Sequence, residues 1–173
     1  MSNLVKVQVK YGLIAGVLNA VLLIILYFLG RHPFLISPLL DFRILLFTIF
    51  IFFGLKEFRD YDQNGILYLW QAMLGALLLV LVTSVVASII LQIFGSLNKA
   101  FVPSYIKLMT EYLKTFPKAD IDKIGKAVFE RNLAELPATT MSSLTITYFA
   151  QSIGIGFFIS IILSVILRRQ PKN

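Results

Sequence analysis

Four runs of apolar residues, about Tyr11–Leu29, Pro38–Leu55, Ile66–Phe94 and Leu144–Leu167, alternate with polar stretches along the chain. Crossing the ~30 Å hydrocarbon core of a bilayer takes about 20 apolar helical residues, and each run is near or above that length. No Lys, Arg, Asp or Glu lies deep within any run. The pattern predicts an all-α membrane protein with four transmembrane helices in an up-down bundle. One integral membrane domain then covers residues 1–173.

The breaks between runs carry turn and cap signals. Gly30 and Pro33 end the first helix, and Ser37-Pro38 reads as the N-cap and first position of the second. Lys56 suits the negative end of the second helix, and Asn64-Gly65 is a turn dipeptide leading into the third. From Gly65 to Phe94 the third helix would be about 45 Å long, so either it tilts or its Ile66–Gln71 turns stand in the interface with Tyr68 and Trp70. Between the last two runs lies a hydrophilic segment, 96–143. Tyr105, Met109, Tyr112 and Phe116 recur there at helical spacing opposite Lys107, Glu111 and Lys114. Beyond Pro117 a second helix is predicted from about Asp120 to Leu133. The segment reads as an amphipathic helical hairpin at the membrane end of the bundle.

Composition agrees with this picture. Of 173 residues 58% are hydrophobic and 14% charged, against typical values of about 45–50% and about 25%. The net charge of +7 sits in residues flanking the runs, a pattern of topology and headgroup contact rather than of nucleic-acid binding. With no cysteine in the chain, disulfides, thiolate metal sites and cysteine nucleophiles are excluded. Lys6 and Lys10 before the first run resemble the start of a signal peptide, but the run leaves through Gly30-Arg31-His32-Pro33 without a small-x-small site. We expect an uncleaved first span.

Lys and Arg near the run ends set the expected orientation. Lys6, Lys10, Lys56, Arg59, Arg168, Arg169 and Lys172 fall on one side, and the short hairpin on the other carries Arg31 and Arg43. The long segment adds seven basic residues to the second side, but long translocated stretches count for little in this rule. Both termini are therefore expected in the cytoplasm.

Small residues fall in stripes spaced for close helix contact. Gly12, Gly16 and Ala20 form one in the first run, Ser84 and Ser88 a short one in the third, and Ser152, Gly156, Ser160 and Ser164 one in the fourth. Packing within the bundle is their expected use, with contact to a second copy or a partner helix as the alternative. Asp41 and Arg43, two residues apart, would lie on different helix faces and reach outward to headgroups. His32 stands in a turn with no second His or Cys to share a metal. No Ser/His/Asp arrangement, phosphate-cradling glycine loop or paired buried carboxylates occur, so we expect neither an enzyme nor a cofactor.

The sharpest local pattern is Asp60-Tyr61-Asp62-Gln63-Asn64-Gly65. Asp60, Asp62 and Asn64 match the first ligands of a calcium loop, with Gly65 at the turn. Gln71 stands at the twelfth position in place of the bidentate Glu, which removes a charge. We therefore read a polar turn, with Asp60 paired to Lys56, rather than a metal site.

Several stretches resemble those of an uncharacterised family of small bacterial membrane proteins. They are Tyr11-Gly12-Leu13-Ile14-Ala15-Gly16, Phe53-Gly54-Leu55-Lys56, Phe58-Arg59-Asp60, Gly65 and Gln71-Ala72. Its members are four-span proteins catalogued as a domain of unknown function. This chain departs from them at Leu67-Tyr68-Leu69-Trp70, where the family often has Ser or Thr with Phe. The resemblance implies a bacterial cytoplasmic (inner) membrane protein and no activity. Lys56, Arg59, Asp60 and Gly65 are then the candidate interaction turn.

Three functional readings follow. The first is a non-enzymatic small membrane subunit or scaffold of an envelope complex, its partners the lipid bilayer and another membrane protein or a second copy. The second is a channel or carrier for a small solute, with Asn19, Gln71 and Gln151 lining a path. The third is lipid or polyprenyl-linked substrate handling by the Tyr105–Phe116 face with Arg31 and Arg43.

Overall fold

Ser2 caps the first helix by accepting the Val5 N–H, and an uninterrupted apolar run carries that helix, α1, over Asn3–Phe28. The computed structural model describes residues 2–36 and 41–170. After a 3₁₀ turn at Pro33–Leu35 come α2 (Phe42–Glu57), a π-helical turn (Phe58–Asp62) and α3 (Leu69–Leu97). A polar layer of α4 (Phe101–Lys114), α5 (Lys118–Ile124) and α6 (Lys126–Glu135) precedes α7 (Met141–Leu167). Among the described residues the only strand-like pairing is an isolated bridge between Leu67 and Arg169. The protein is all-helical, and α1, α3 and α7 are long and apolar enough to cross a membrane.

Several boundaries differ from the sequence expectation, each for a local reason. The helix of the first run starts at Asn3 and takes in Lys6 and Lys10, because long basic side chains fit a helix end whose charged heads reach water. The proposed Ser37-Pro38 cap lies outside the described residues. The described second helix starts at Phe42, with Asp41 accepting the Arg43 N–H as its N-cap. Helix α3 starts at Leu69 rather than Ile66, because Leu67 exchanges both backbone hydrogen bonds with Arg169 at 2.9 Å. Its first turn is closed by Gln71, whose Oε1 accepts the Tyr68 N–H. Helix α7 begins at Met141 under a Thr140/Ser143 capping box. The predicted Asp120–Leu133 helix is broken in two at Gly125, whose φ of 94° is a left-handed conformation suited to glycine.

Helix α3 is the central element, with α1 on one flank and α7 on the other, and α2 closes against α1 and α7. Little hydrophobic drive joins helices in lipid, so close backbone approach across small residues supplies the contact. A Cβ on Gly12 would stand 2.8 Å from Val82 Cβ, and one on Gly16 2.7 Å from Val86 Cβ and 3.0 Å from the Thr83 carbonyl oxygen. The Thr83 hydroxyl donates to the Gly12 carbonyl at 3.2 Å. Gly156 of α7 meets Val80 in the same way, and Ser152, Ser160 and Ser164 are fully buried. Gly154 faces open space instead. Gly12 and Gly16 of α1 and Gly156 of α7 are thus turned onto α3.

Gly16→Ala should destabilise the detergent-solubilised protein by about 1–3 kcal/mol through overpacking. Gly154→Ala should be neutral or stabilising by up to about 1 kcal/mol, since only helix propensity changes there. Thermal unfolding followed by circular dichroism checks both; equal effects would refute the close approach of α1 to α3.

Candidate functional site

All four long helices contribute to one buried polar centre. Arg43 is 7% exposed, and its side chain reaches across to α7 rather than out to headgroups. The outward expectation fails because Asp41 is not helical: as the N-cap it has extended backbone, so its carboxylate can fold back over Arg43. Nε donates to Asp41 Oδ1 at 2.9 Å and Oδ2 at 2.8 Å, and one terminal nitrogen also bonds Oδ2. The other terminal nitrogen donates to the Tyr148 carbonyl at 3.1 Å and to Ser152 Oγ at 2.9 Å. Gln151 Oε1 takes a further N–H at 3.3 Å. All five guanidinium N–H groups therefore have an acceptor, and the charge also stands 4.6 Å from the Tyr148 ring centroid.

From α1, Asn19 Nδ2 donates to the Tyr148 hydroxyl at 2.6 Å. The antiparallel register fixed by Gly156 against Val80 brings Ser84 and Ser88 of α3 to the level of Ser152 and Tyr148. Asn19 Oδ1, Ser84 Oγ and Ser88 Oγ are buried without a hydrogen-bond partner among the described residues. Ser152 lies about 16 Å along α7 from Met141 at 1.5 Å per residue. The interior of the apolar bundle thus holds an ion pair. Of the proposed solute path, Asn19 joins this centre through Tyr148 and the exposed Gln151 through Arg43, whereas Gln71 caps α3 at the opposite end.

A second buried group, His32, ties the α1–α2 turn to α4. It is 5% exposed. Its Nδ1 accepts the Phe34 N–H at 3.4 Å, so Nε2 carries the proton and donates to the Phe101 carbonyl at 3.2 Å. The rings of Phe101, Tyr105, Phe34 and Tyr27 stand 4.7 to 5.9 Å away. Burial pushes the imidazole down to about 4, against the pull of the Phe101 carbonyl. Tyr105 is engaged with His32, and Arg43 points into the bundle. The lipid-handling face proposed from Tyr105, Arg31 and Arg43 is therefore not assembled; Arg31 is exposed.

At the other end, the π turn gathers part of the predicted interaction turn. Arg59 is buried and pairs with Asp60 at 2.7 Å, which holds the Asp60 carboxyl below its usual range. Asp60 thus turns to Arg59 and not to Lys56, because adjacent side chains on the widened turn meet first. The Arg59 carbonyl accepts the Gly65 N–H, and Asn64 and Gly65 have φ of 49° and 82°. Asp62 accepts from Asn3 at 2.8 Å. The three calcium-loop residues therefore have separate surroundings instead of one shared centre. Lys56 is exposed beside a shallow cleft with Tyr11, Glu57 and Asp60. Glu57, absent from the sequence reading, accepts from Lys10 at 2.6 Å and Tyr11 at 2.7 Å, and these bonds hold its carboxyl low. The signal for it was the charge of Lys10 immediately before the first run.

Removing Arg43 as Arg43→Ala strands the Asp41 carboxylate and should destabilise by on the order of 3–5 kcal/mol. Arg43→Lys should recover only part, with three donors for five; an unchanged unfolding midpoint in Arg43→Ala would show that the pair does not hold the bundle. The folded His32 value of about 4 lies below the unfolded value of 6.5, so the unfolded chain takes the proton first as pH falls. Stability should therefore drop from about pH 6.5 to about 4, with Glu57 adding to the loss at the acid end. His32→Asn should flatten the upper part of that slope in thermal scans.

No match to the chain is found among curated proteins or among solved structures. Residues 10–169, nearly the whole chain and including the Arg43 centre, the His32 knot and the π turn, match the family described as Protein of unknown function (DUF4199). The chain belongs to that family.

Proposed function

We propose that this is a four-span, non-enzymatic subunit or scaffold of a bacterial inner-membrane complex, with an up-down bundle and both termini in the cytoplasm. Helix α2 would be the fourth span. Its described part is 16 residues, and its outward face of Phe42, Leu45, Ile49 and Phe53 is apolar and exposed, as a lipid-facing surface would be. Asn3 with Asp62 and Leu67 with Arg169 bring both chain ends to one end of the bundle. The cationic groups Lys6, Lys10, Lys56, Arg59, Arg168 and Arg169 fall at that end, in keeping with the positive-inside rule.

The observation that carries the partner reading is the contrast between a closed bundle and an open polar layer. Inside, every Arg43 guanidinium donor is bonded and α3 packs against Gly12, Gly16 and Gly156. Outside, α5 and α6 contain no buried residue, and their ion pairs, such as Lys126 with Glu130, are on the surface. Surface pairs of this kind stabilise by about 0–1 kcal/mol, so the layer contributes little to holding the bundle. Its charged faces remain available to another envelope component.

Photo-crosslinking groups placed at Lys126 and Arg131 in native membranes should yield one defined protein adduct, and one placed at Ile93 on the lipid face of α3 should not. A monomeric protein giving no adduct from α6, or the same adducts from Ile93, would end the scaffold reading.

A further inference from the structure

At the end of the bundle that holds both chain termini, a cleft of about 620 Å³ opens between the start of α1, the π turn and the start of α3. Its lining changes character with depth. Asn3, Asp62 and Gln63 lie at the mouth, where the helices end, while Trp70, Leu74 and Leu78 run down one face of α3. Residues four apart share a helix face, and Trp70 to Leu78 spans about 12 Å along the axis. Trp70 and Leu74 are 61% and 57% exposed, so this wall opens to the side. A polar mouth above an apolar slot, with an indole at the boundary, is the profile of an interfacial amphiphile.

Charge narrows the class of headgroup. The same end of the protein carries Lys6, Lys10, Lys56, Arg59, Arg168 and Arg169, yet among the described lining residues there is no Lys or Arg, and the single charged group is Asp62. One Asp62 oxygen accepts from Asn3 Nδ2 at 2.8 Å, and no cation of the described residues pairs with the carboxylate. An anionic headgroup would be drawn to the basic collar and repelled at this mouth. An ammonium would find a carboxylate that no cation of the described residues neutralises, and one carrying N–H donors can hydrogen-bond it. The exposed Trp70 ring adds a face to which a cation is attracted.

We infer that this cleft binds one glycerophospholipid with a primary-amine headgroup, the ammonium at Asp62 and an acyl chain along Trp70, Leu74 and Leu78. The site rests on the helices lying in a bilayer and is independent of the partner reading, whose test is on the opposite end of the molecule.

The test uses the full chain reconstituted in vesicles of equal phosphatidylethanolamine, phosphatidylcholine and phosphatidylglycerol, extracted in mild detergent and weighed by native mass spectrometry. Wild type should retain one lipid, with phosphatidylethanolamine enriched about fivefold over phosphatidylglycerol, the ratio expected of a single partly exposed ion pair. Asp62→Asn should remove that preference while still holding lipid. Leu78→Trp, which fills the slot, should lose the adduct, and its unfolding midpoint shows that it is folded. Equal retention of the three lipids by wild type, or enrichment of phosphatidylglycerol, would overturn the inference. So would wild-type retention of phosphatidylethanolamine by both variants.

Discussion

Backbone-to-backbone approach of α1 and α7 onto α3 sets the register from which the rest of the structure follows. Gly12 and Gly16 let the Leu79 and Thr83 carbonyls come within about one side-chain carbon of α1, and Gly156 admits Val80 from the other flank. In a bilayer the lipid tails are as apolar as leucine, so only such contact and interhelical hydrogen bonds distinguish one helix neighbour from another. With α1 and α7 locked against α3 from its two flanks, Asn19 comes opposite Tyr148 and the hydroxyls of Ser84 and Ser88 come level with Ser152. A shift of one residue in either contact would place those polar groups against hydrocarbon, where an unpaired group is strongly unfavourable.

That register makes the Asp41–Arg43 pair tolerable. Two charges taken from water into an apolar bundle are costly unless every donor and lone pair is met. Here the guanidinium meets a carboxylate, a carbonyl, a hydroxyl and an amide, and an aromatic ring lies beside it. The shorter helix α2 is joined to α7 by this centre and to α1 by Glu57 with Lys10 and Tyr11. The guanidinium is saturated, with all five of its N–H groups bonded.

At the opposite functional extreme stands the α4–α6 layer. Its root packs on the bundle where Phe101 meets Tyr27 and Phe94 and, with Tyr105, closes over His32 and Phe34. The neutral imidazole is held there by two backbone groups of different elements, which joins the 3₁₀ turn after α1 to the start of α4. Beyond that knot α5 and α6 bury nothing. The layer combines firm attachment at its root with a polar surface further out, an arrangement suited to presenting charge away from the membrane surface.

The apolar runs were enough to determine the helical class, and of the four spans they predict, α1, α3 and α7 are long and apolar enough to cross a membrane, because burial in hydrocarbon demands length and neutrality that a linear sequence displays directly. Glycine and serine spacing likewise marked the faces of α1 and α7 that pack, since a one-helix periodicity needs no partner to be visible. The family was legible for the same reason, in the runs around Gly12 and Phe53-Gly54. The sites were not. Arg43 two residues after Asp41 reads as an outward anchor until the cap geometry folds the carboxylate over it, and His32 reads as a loop residue until Phe101 arrives from 69 positions away. Asp60 belonged to Arg59 and Glu57 to Lys10 because a π turn and a neighbouring helix placed them, which sequence separation does not encode. The chain by itself determined which segments are apolar and which faces are small. Only the tertiary structure decided where the charges go, because a charge is placed by partners from other helices and not by its own.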